Sequence, residues 1–217
     1  MELIFIHIPK TAGSSLRSVL HKVYGRDAVI TVGVDIPATK EIIYKDMLPA
    51  GTRVLTGHLA YPQVEDLRRQ TGAKIISFLR DPTERYISHF FHLRRRQTRT
   101  LGLRHELHAR LPIWVHLCLF RYHNVMSRSL KPLPMQGFDF IGFRETFSDD
   151  VKALAKLLDW PEEGAHTGRF NANENTDYPL TARKLPDVAG ALIRRVNAAD
   201  TLLYEEALSV WRARPDK

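Results

Sequence analysis

Short, uninterrupted apolar runs alternate along this chain with longer stretches whose apolar positions follow helical spacing. Leu3 to Ile8, Arg53 to Thr56, Lys74 to Leu79 and Phe138 to Phe143 each predict a buried strand. After the first run, Leu16, Val19, Leu20 and Val23 fall at i, i+3, i+4 and i+7, so a helix opens near Ser14 and Ser15 and stops at Gly25. Another helix is announced by Asp81 as its cap, Pro82 at its first position and Glu84 where a capping-box partner belongs. On it, Tyr86, Ile87, Phe90 and Phe91 share one side, while Ser88 lies opposite, in line with Asp81 and Glu84. A further helical region is expected from about His105 to Leu130. The tail from Pro186 to Arg214 reads as two amphipathic helices broken near Asn197. Strands alternating with helices predict an α/β fold, a central parallel sheet flanked by helices on both faces, because right-handed crossovers lay helices over both sides. Ligands of such folds gather beyond the carboxyl ends of the strands.

The 217 residues, 44% of them hydrophobic, suffice for one well-buried core, and no repeat or linker divides them, so a single domain over 1–217 is expected. The lone cysteine, Cys118, lies in the apolar run Ile113 to Phe120; it excludes an intrachain disulfide and is expected to be core. Leu3 to Ile8 is far too short to span a bilayer and carries no leader signature, which predicts a cytoplasmic protein. A net charge of +8 favours an anionic partner: nucleic acid, a membrane surface, an acidic glycan or a nucleotide cosubstrate. The charge concentrates at Arg94, Arg95, Arg96, Arg99 and Arg104, either a solvated basic face or a surface for an anionic acceptor. No helix-turn-helix, zinc-finger or aromatic-stacking motif accompanies it, so a nucleic-acid-binding protein is disfavoured.

The turn after the first strand carries the clearest chemistry. Pro9 ends the strand, Gly13 permits close backbone approach, and Ser14 and Ser15 open a helix whose unpaired amides point outward with partial positive charge. A phosphate or sulfate placed there satisfies them, and Lys10 adds a full charge. The lysine precedes the glycine and no Gly-x-x-x-x-Gly-Lys-Ser/Thr occurs, which argues against an ordinary nucleotide triphosphatase.

Ile6-His7-Ile8-Pro9-Lys10-Thr11-Ala12-Gly13-Ser14-Ser15-Leu16 resembles the 5'-phosphosulfate loop of carbohydrate sulfotransferases of the heparan-sulfate 2-O-sulfotransferase type. Phe78 to His89 resembles that family's 3'-phosphate-binding strand and helix, with Arg80 and Ser88 at its ligand positions. A guanidinium fork suits a phosphate dianion, and a hydroxyl adds a donor. The likeness is good from Leu3 to about Leu93 and patchier beyond, where Asn124 to Arg128, Phe140 to Glu145, Asp200 and Tyr204 match weaker landmarks. It implies a P-loop nucleotide-hydrolase-like sulfotransferase fold and the cosubstrate 3'-phosphoadenosine-5'-phosphosulfate (PAPS), released as 3'-phosphoadenosine-5'-phosphate (PAP), with no metal. The partner is a hydroxyl-bearing acceptor, a saccharide by the same likeness. Animal members sit in the Golgi lumen behind a membrane anchor, whereas a chain without one reads as a bacterial enzyme.

On this reading the backbone of Lys10, Thr11, Ala12, Gly13, Ser14 and Ser15 holds the 5'-phosphosulfate, Arg80 and Ser88 hold the 3'-phosphate, and Lys10 stabilises the leaving group. His58, after a strand and a glycine, is the candidate base; it matches the family's catalytic histidine segment, and general-base catalysis contributes ~10²–10⁴-fold. Its alternative role is to hydrogen-bond a loop. His7, inside the first strand, reads as a core histidine instead. His105 and His108 around Glu106 lack the spacing of a zinc-protease helix, so no metal site is expected there. Among Asn171, Asn173, Asn175 and Tyr178, turn chemistry competes with a loop that approaches the donor, and Asn171 is the candidate ligand. Arg128 either faces the acceptor or pairs with an acid on its own helix. A noncatalytic nucleotide- or anionic-glycan-binding protein on the same fold is the competing reading.

Overall fold

The computed structural model describes residues 1–95, 112–161 and 187–212. At its centre lie β1 (Leu3–Ile6), β2 (Val29–Val32), β3 (Val54–Gly57), β4 (Lys74–Leu79) and β5 (Phe140–Phe143), a parallel sheet in the order β2-β3-β1-β4-β5. Every residue of β1 is buried, as expected of a strand covered on both faces. The four expected strands are present, with β1, β3 and β5 shifted or trimmed by one or two residues. The edge strand β2 was not predicted, although Val29, Ile30, Thr31 and Val32 carry the β-branched signal.

Helix α1 (Gly13–Tyr24) buries Leu16, Val19 and Leu20 and ends at Gly25, whose φ of 83° suits a residue without Cβ. Helix α2 (Tyr61–Thr71) starts with Pro62 in its first turn and buries Val64 and Leu67. The connection from β1 to β2 runs two places across the sheet in one direction and that from β3 to β4 two places in the other. Right-handed crossovers therefore put α1 and α2 on opposite faces. Helix α3 (Pro82–Arg95) is capped as expected, the Glu84 amide donating to Asp81 Oδ1 at 2.9 Å. The capping-box expectation changes: the Asp81 amide donates to Glu145 at 3.0 Å, and Glu84 reaches Arg80.

Three further expectations are corrected. The region to Leu130 is not one helix: from residue 112 it forms α4 (Ile113–His116), a 3₁₀ turn at Phe120–Tyr122 and α5 (Val125–Leu130). The buried Arg85 guanidinium donates to the Tyr122 carbonyl at 3.0 Å, which a continuous helix would have spent on its own ladder. Cys118 is exposed, not core, since the broken segment turns it and Phe120 outward. Ser88 is only 3% exposed, so it lies within the fold and does not face solvent opposite the core. The residues His105 to Leu111 lie outside the described residues.

Helix α6 (Phe147–Leu157) follows β5, and α7 (Asp187–Val196) and α8 (Ala198–Arg212) break at Asn197 as expected. One carboxylate ties this half together. Asp200, fully buried on α8, accepts the Met126 and Ser127 amides at 3.1 and 2.7 Å, which caps α5 from outside its own chain segment. It also faces buried Arg85 of α3 at 3.9 Å, while the Asn124 amide donates to Asn197 Oδ1 beside it. Burial pulls the Arg85 pKa down, and the carboxylate opposes that pull. Asp200→Ala should lower stability by about 3–5 kcal/mol, because it strands the buried guanidinium and two helix-start amides. Urea unfolding checks this, and a loss below about 1 kcal/mol would contradict the role given to the carboxylate.

Candidate active site

Parallel registers level the carboxyl ends of β1 and β3, and β4 runs two residues further. Ile6 stands beside Gly57 of β3 and Ser77 of β4, and the ladder continues where the His7 amide donates to Gly57 O at 2.9 Å. The loops after β1, β3 and β4 therefore leave the sheet together at its carboxyl edge.

The first loop, residues 7–12, is bent by two non-glycine residues at positive φ, Lys10 and Ala12, both at 74°. Such a conformation persists only where surroundings enforce it, and it concentrates at ligand sites. Here Thr11 enforces it: fully buried, its Oγ1 donates to Ile8 O at 2.9 Å. Helix α1 then begins at Gly13 with no side-chain cap. The Ser15 and Leu16 amides already donate to Ala12 O at 3.0 and 3.1 Å, so the anion seat expected from Lys10 to Ser15 narrows towards its earlier amides. Ala12 and Gly13 offer backbone only, which suits close approach of an oxyanion.

Arg80, at the end of β4, is 6% exposed; it donates to Lys10 O at 3.5 Å and pairs with Glu84 Oε2 at 3.2 Å. The guanidinium thus joins the β1 loop to α3, and Glu84, which the sequence offered only as a capping residue, orients it. Ser88, one turn beyond Glu84, is buried on the same helix.

His58 follows β3 and is exposed, with Nδ1 at 2.8 Å from His7 O. A carbonyl only accepts, so Nδ1 carries the hydrogen, and in the Nδ1–H tautomer Nε2 is the nitrogen able to take a proton. The ring of His7 stands 4.6 Å from that of His58, and a Cβ on Gly13 would meet it at 1.8 Å. His7 is accordingly no core residue but touches both the base candidate and the anion loop. Its position directly beyond the last β1 residue was the available signal. Direct contacts thereby gather Lys10, Gly13, His58 and Arg80 at one edge.

Arg128 does not pair with an acid on its own helix. Helix α5 contains no acid, and its guanidinium donates to Arg121 O at 2.6 Å and Asn124 O at 3.4 Å. It lines a cleft of about 510 Å³ with Phe120, His123, Ser127 and Lys131, closed by Val196 and Ala199 at the α7–α8 junction. Asn171, Asn173, Asn175 and Tyr178, the arginines from Arg96 to Arg104, and His105 with His108 lie outside the described residues. Among the described residues, no helix is long and apolar enough to cross a membrane.

An α/β protein with an open helix start and basic residues at the carboxyl edge of a parallel sheet belongs to the broad class that handles phosphate- and sulfate-bearing ligands. The model of the Sulfotransferase family matches residues 1–124, more than half of the chain and all of β1 to α3. The chain belongs to that family and is a sulfotransferase. Among solved structures it is similar to mouse sulfotransferase SULT7A1 complexed with PAP, at 15% identity and TM-score 0.48 over 94% of this chain and 78% of that one. It is also similar to a sulfotransferase from Alicyclobacillus acidocaldarius, at 16% identity and TM-score 0.46 over 98% and 96%. No curated protein matches it in sequence.

Two histidines at this edge are kept neutral. His7 has its pKa lowered from 6.5 to about 3, by burial first and then by His58, Arg17 and Lys10. His89, on α3 beside Ser88, is lowered to about 3 by burial, then by Arg85, His116, His92 and Lys10. Between pH 6.5 and 3 the unfolded chain binds protons that the native state refuses, so stability must fall as pH falls through that window. Each histidine contributes a slope approaching about 1.4 kcal/mol per pH unit. Urea midpoints at pH 7.5 and 5.0 check this, and His89→Phe should flatten the dependence.

Proposed function

We propose that the enzyme transfers the sulfuryl group of PAPS to a saccharide hydroxyl, with His58 as base and Lys10 at the leaving group. The observation that carries this is the joining of two basic features: the uncapped start of α1 behind the Lys10–Ala12 turn, and Arg80, bonded to the Lys10 carbonyl just ahead of the helix that carries the buried Ser88. A donor with a 5'-phosphosulfate and a 3'-phosphate has one anion for each, and holding both orients the sulfur for attack. A plain triphosphate would leave the second feature unexplained.

The acceptor oxygen attacks sulfur in line with the departing phosphate oxygen. The new oxygen–sulfur bond forms as the old one breaks, and the electron pair stays on the phosphate, whose charge Lys10 neutralises. The acceptor proton passes to Nε2 of His58, whose Nδ1–H remains on the His7 carbonyl and supports the imidazolium. The saccharide assignment rests on the likeness of the loop and the 3'-phosphate element to carbohydrate sulfotransferases. Arg128 is the candidate acceptor contact, fixed by two carbonyls at the mouth of a cleft that also holds Lys131. Asn171 is the candidate donor contact from the second half of the chain.

PAP should raise the melting temperature, since a ligand of the native state alone stabilises it by mass action. His58→Ala should keep that shift while transfer from labelled PAPS to a saccharide panel, read by mass spectrometry, falls ~10²–10⁴-fold. Arg80→Ala should shrink the shift itself. Absence of any shift at saturating PAP would sink the donor assignment, and full turnover by His58→Ala would sink the base.

A further inference from the structure

We infer that His7 is a positioning residue that couples the donor loop to the base, an inference resting on the roles proposed for Gly13 and His58. Residue 7 is fastened at three points. Its amide is fixed to β3 through Gly57 O at 2.9 Å, its carbonyl receives His58 Nδ1–H at 2.8 Å, and its ring fills the space beside Gly13. On one side the ring stacks with Phe5 at 5.6 Å and 13°, and it meets the His58 ring at 4.6 Å and 43°.

Gly13 is therefore required for space. Any other residue there would carry a Cβ 1.8 Å from His7 Cδ2 and 2.1 Å from Nε2, well inside contact distance. The first residue of α1 and the imidazole of His7 have mutually exclusive volumes. The loop can keep its present form around the His7 ring only while residue 13 brings no side chain into that volume.

His58 depends on the same ring. It is exposed, and an exposed side chain keeps one rotamer only where contacts hold it. The His7 carbonyl supplies the bond, and the ring supplies the surface that turns Nδ1 towards that carbonyl. Without the ring the imidazole is free to rotate and to exchange tautomers, which leaves Nε2 no longer the fixed unprotonated nitrogen. The wedge also remains uncharged: buried, and next to His58, Arg17 and Lys10, His7 stays neutral where an additional cation would repel an incoming imidazolium.

The test uses the full chain with His7→Ala, His7→Phe, Gly13→Ala and the double variant His7→Ala/Gly13→Ala. Nitrogen-15 spectra of the histidine rings report the His58 tautomer without any acceptor. The parent should show His58 as the Nδ1–H form, His7→Phe should retain it through its flat ring, and His7→Ala should reduce it to the minor form. If His7→Ala does not fold, His7→Phe decides, because loss of the tautomer there removes the ring contact as its cause. Gly13→Ala should lose the PAP-induced melting shift and the double variant should regain it, a non-additivity expected of two groups competing for one volume. An unchanged tautomer in His7→Ala, or a double variant no better than Gly13→Ala, would overturn the coupling. A parent chain that PAP leaves unshifted would instead remove the donor reading, while the tautomer measurement still judged His7 and His58.

Discussion

β1 has neighbours on both edges, β3 through Leu3–Val54 to Ile6–Gly57 and β4 through Leu3–Lys74 to Ile6–Ser77. A central parallel strand must satisfy its amides and carbonyls on both sides, so its register cannot slip without breaking two ladders and turning its apolar side chains out of the core. That double constraint levels the ends of β1 and β3 and leaves β4 two residues longer, so the three following loops leave from one edge. The β1 loop supplies Lys10 and the start of α1, the β3 loop supplies His58, and the end of β4 supplies Arg80. Ser77 Oγ, donating to Ile6 O at 2.9 Å, adds a side-chain clasp where the strands end.

Around this edge, positive charge is assembled and then kept from dispersing the loops. Lys10, Arg17 and Arg80 would repel one another in an empty site, but Arg80 is held by a carbonyl and by Glu84. Burial meanwhile keeps the neighbouring imidazoles of His7 and His89 neutral. In the proposed reaction an arriving oxyanion would meet fixed donors with little reorganisation left to make, which is the condition for electrostatic catalysis.

Behind the site, the segments after α3 are built on polar bonds more than on regular packing. Asp200 substitutes for a local cap on α5, and Arg85 reaches from α3 to the Tyr122 carbonyl. The His116 ring, fully buried, stacks on Tyr122 at 4.5 Å and shares a 2.8 Å bond with the Tyr86 hydroxyl. Such a network holds one arrangement of turns in place, since any slip leaves a buried polar group unpaired. The cleft at Arg128 and the donor edge are consequently linked through α3, whose first turns serve one and whose Arg85 supports the other.

Local chemistry was legible in the residues themselves. The strands β1, β3, β4 and β5, the start and stop of α1, the Asp81 cap and the break at Asn197 all rest on periodicity and capping within a few positions. An anion seat at Lys10 and Gly13 could likewise be read from a strand end and a helix start, whereas the phosphosulfate reading, with Arg80 and Ser88, came from the resemblance of two segments to carbohydrate sulfotransferases. What the residues could not disclose depends on partners far along the chain. Nothing near Tyr122 announces that a guanidinium from residue 85 will take its carbonyl, so the helix expected there is broken and Cys118 faces outward. Nothing near Asp81 says that its amide will go to Glu145, and nothing in a strand-end histidine says that its ring will occupy the volume Gly13 leaves empty. Hydrogen bonding and excluded volume between distant segments are settled only when the sheet brings those segments together, and there His7 passes from an expected core residue to a part of the site.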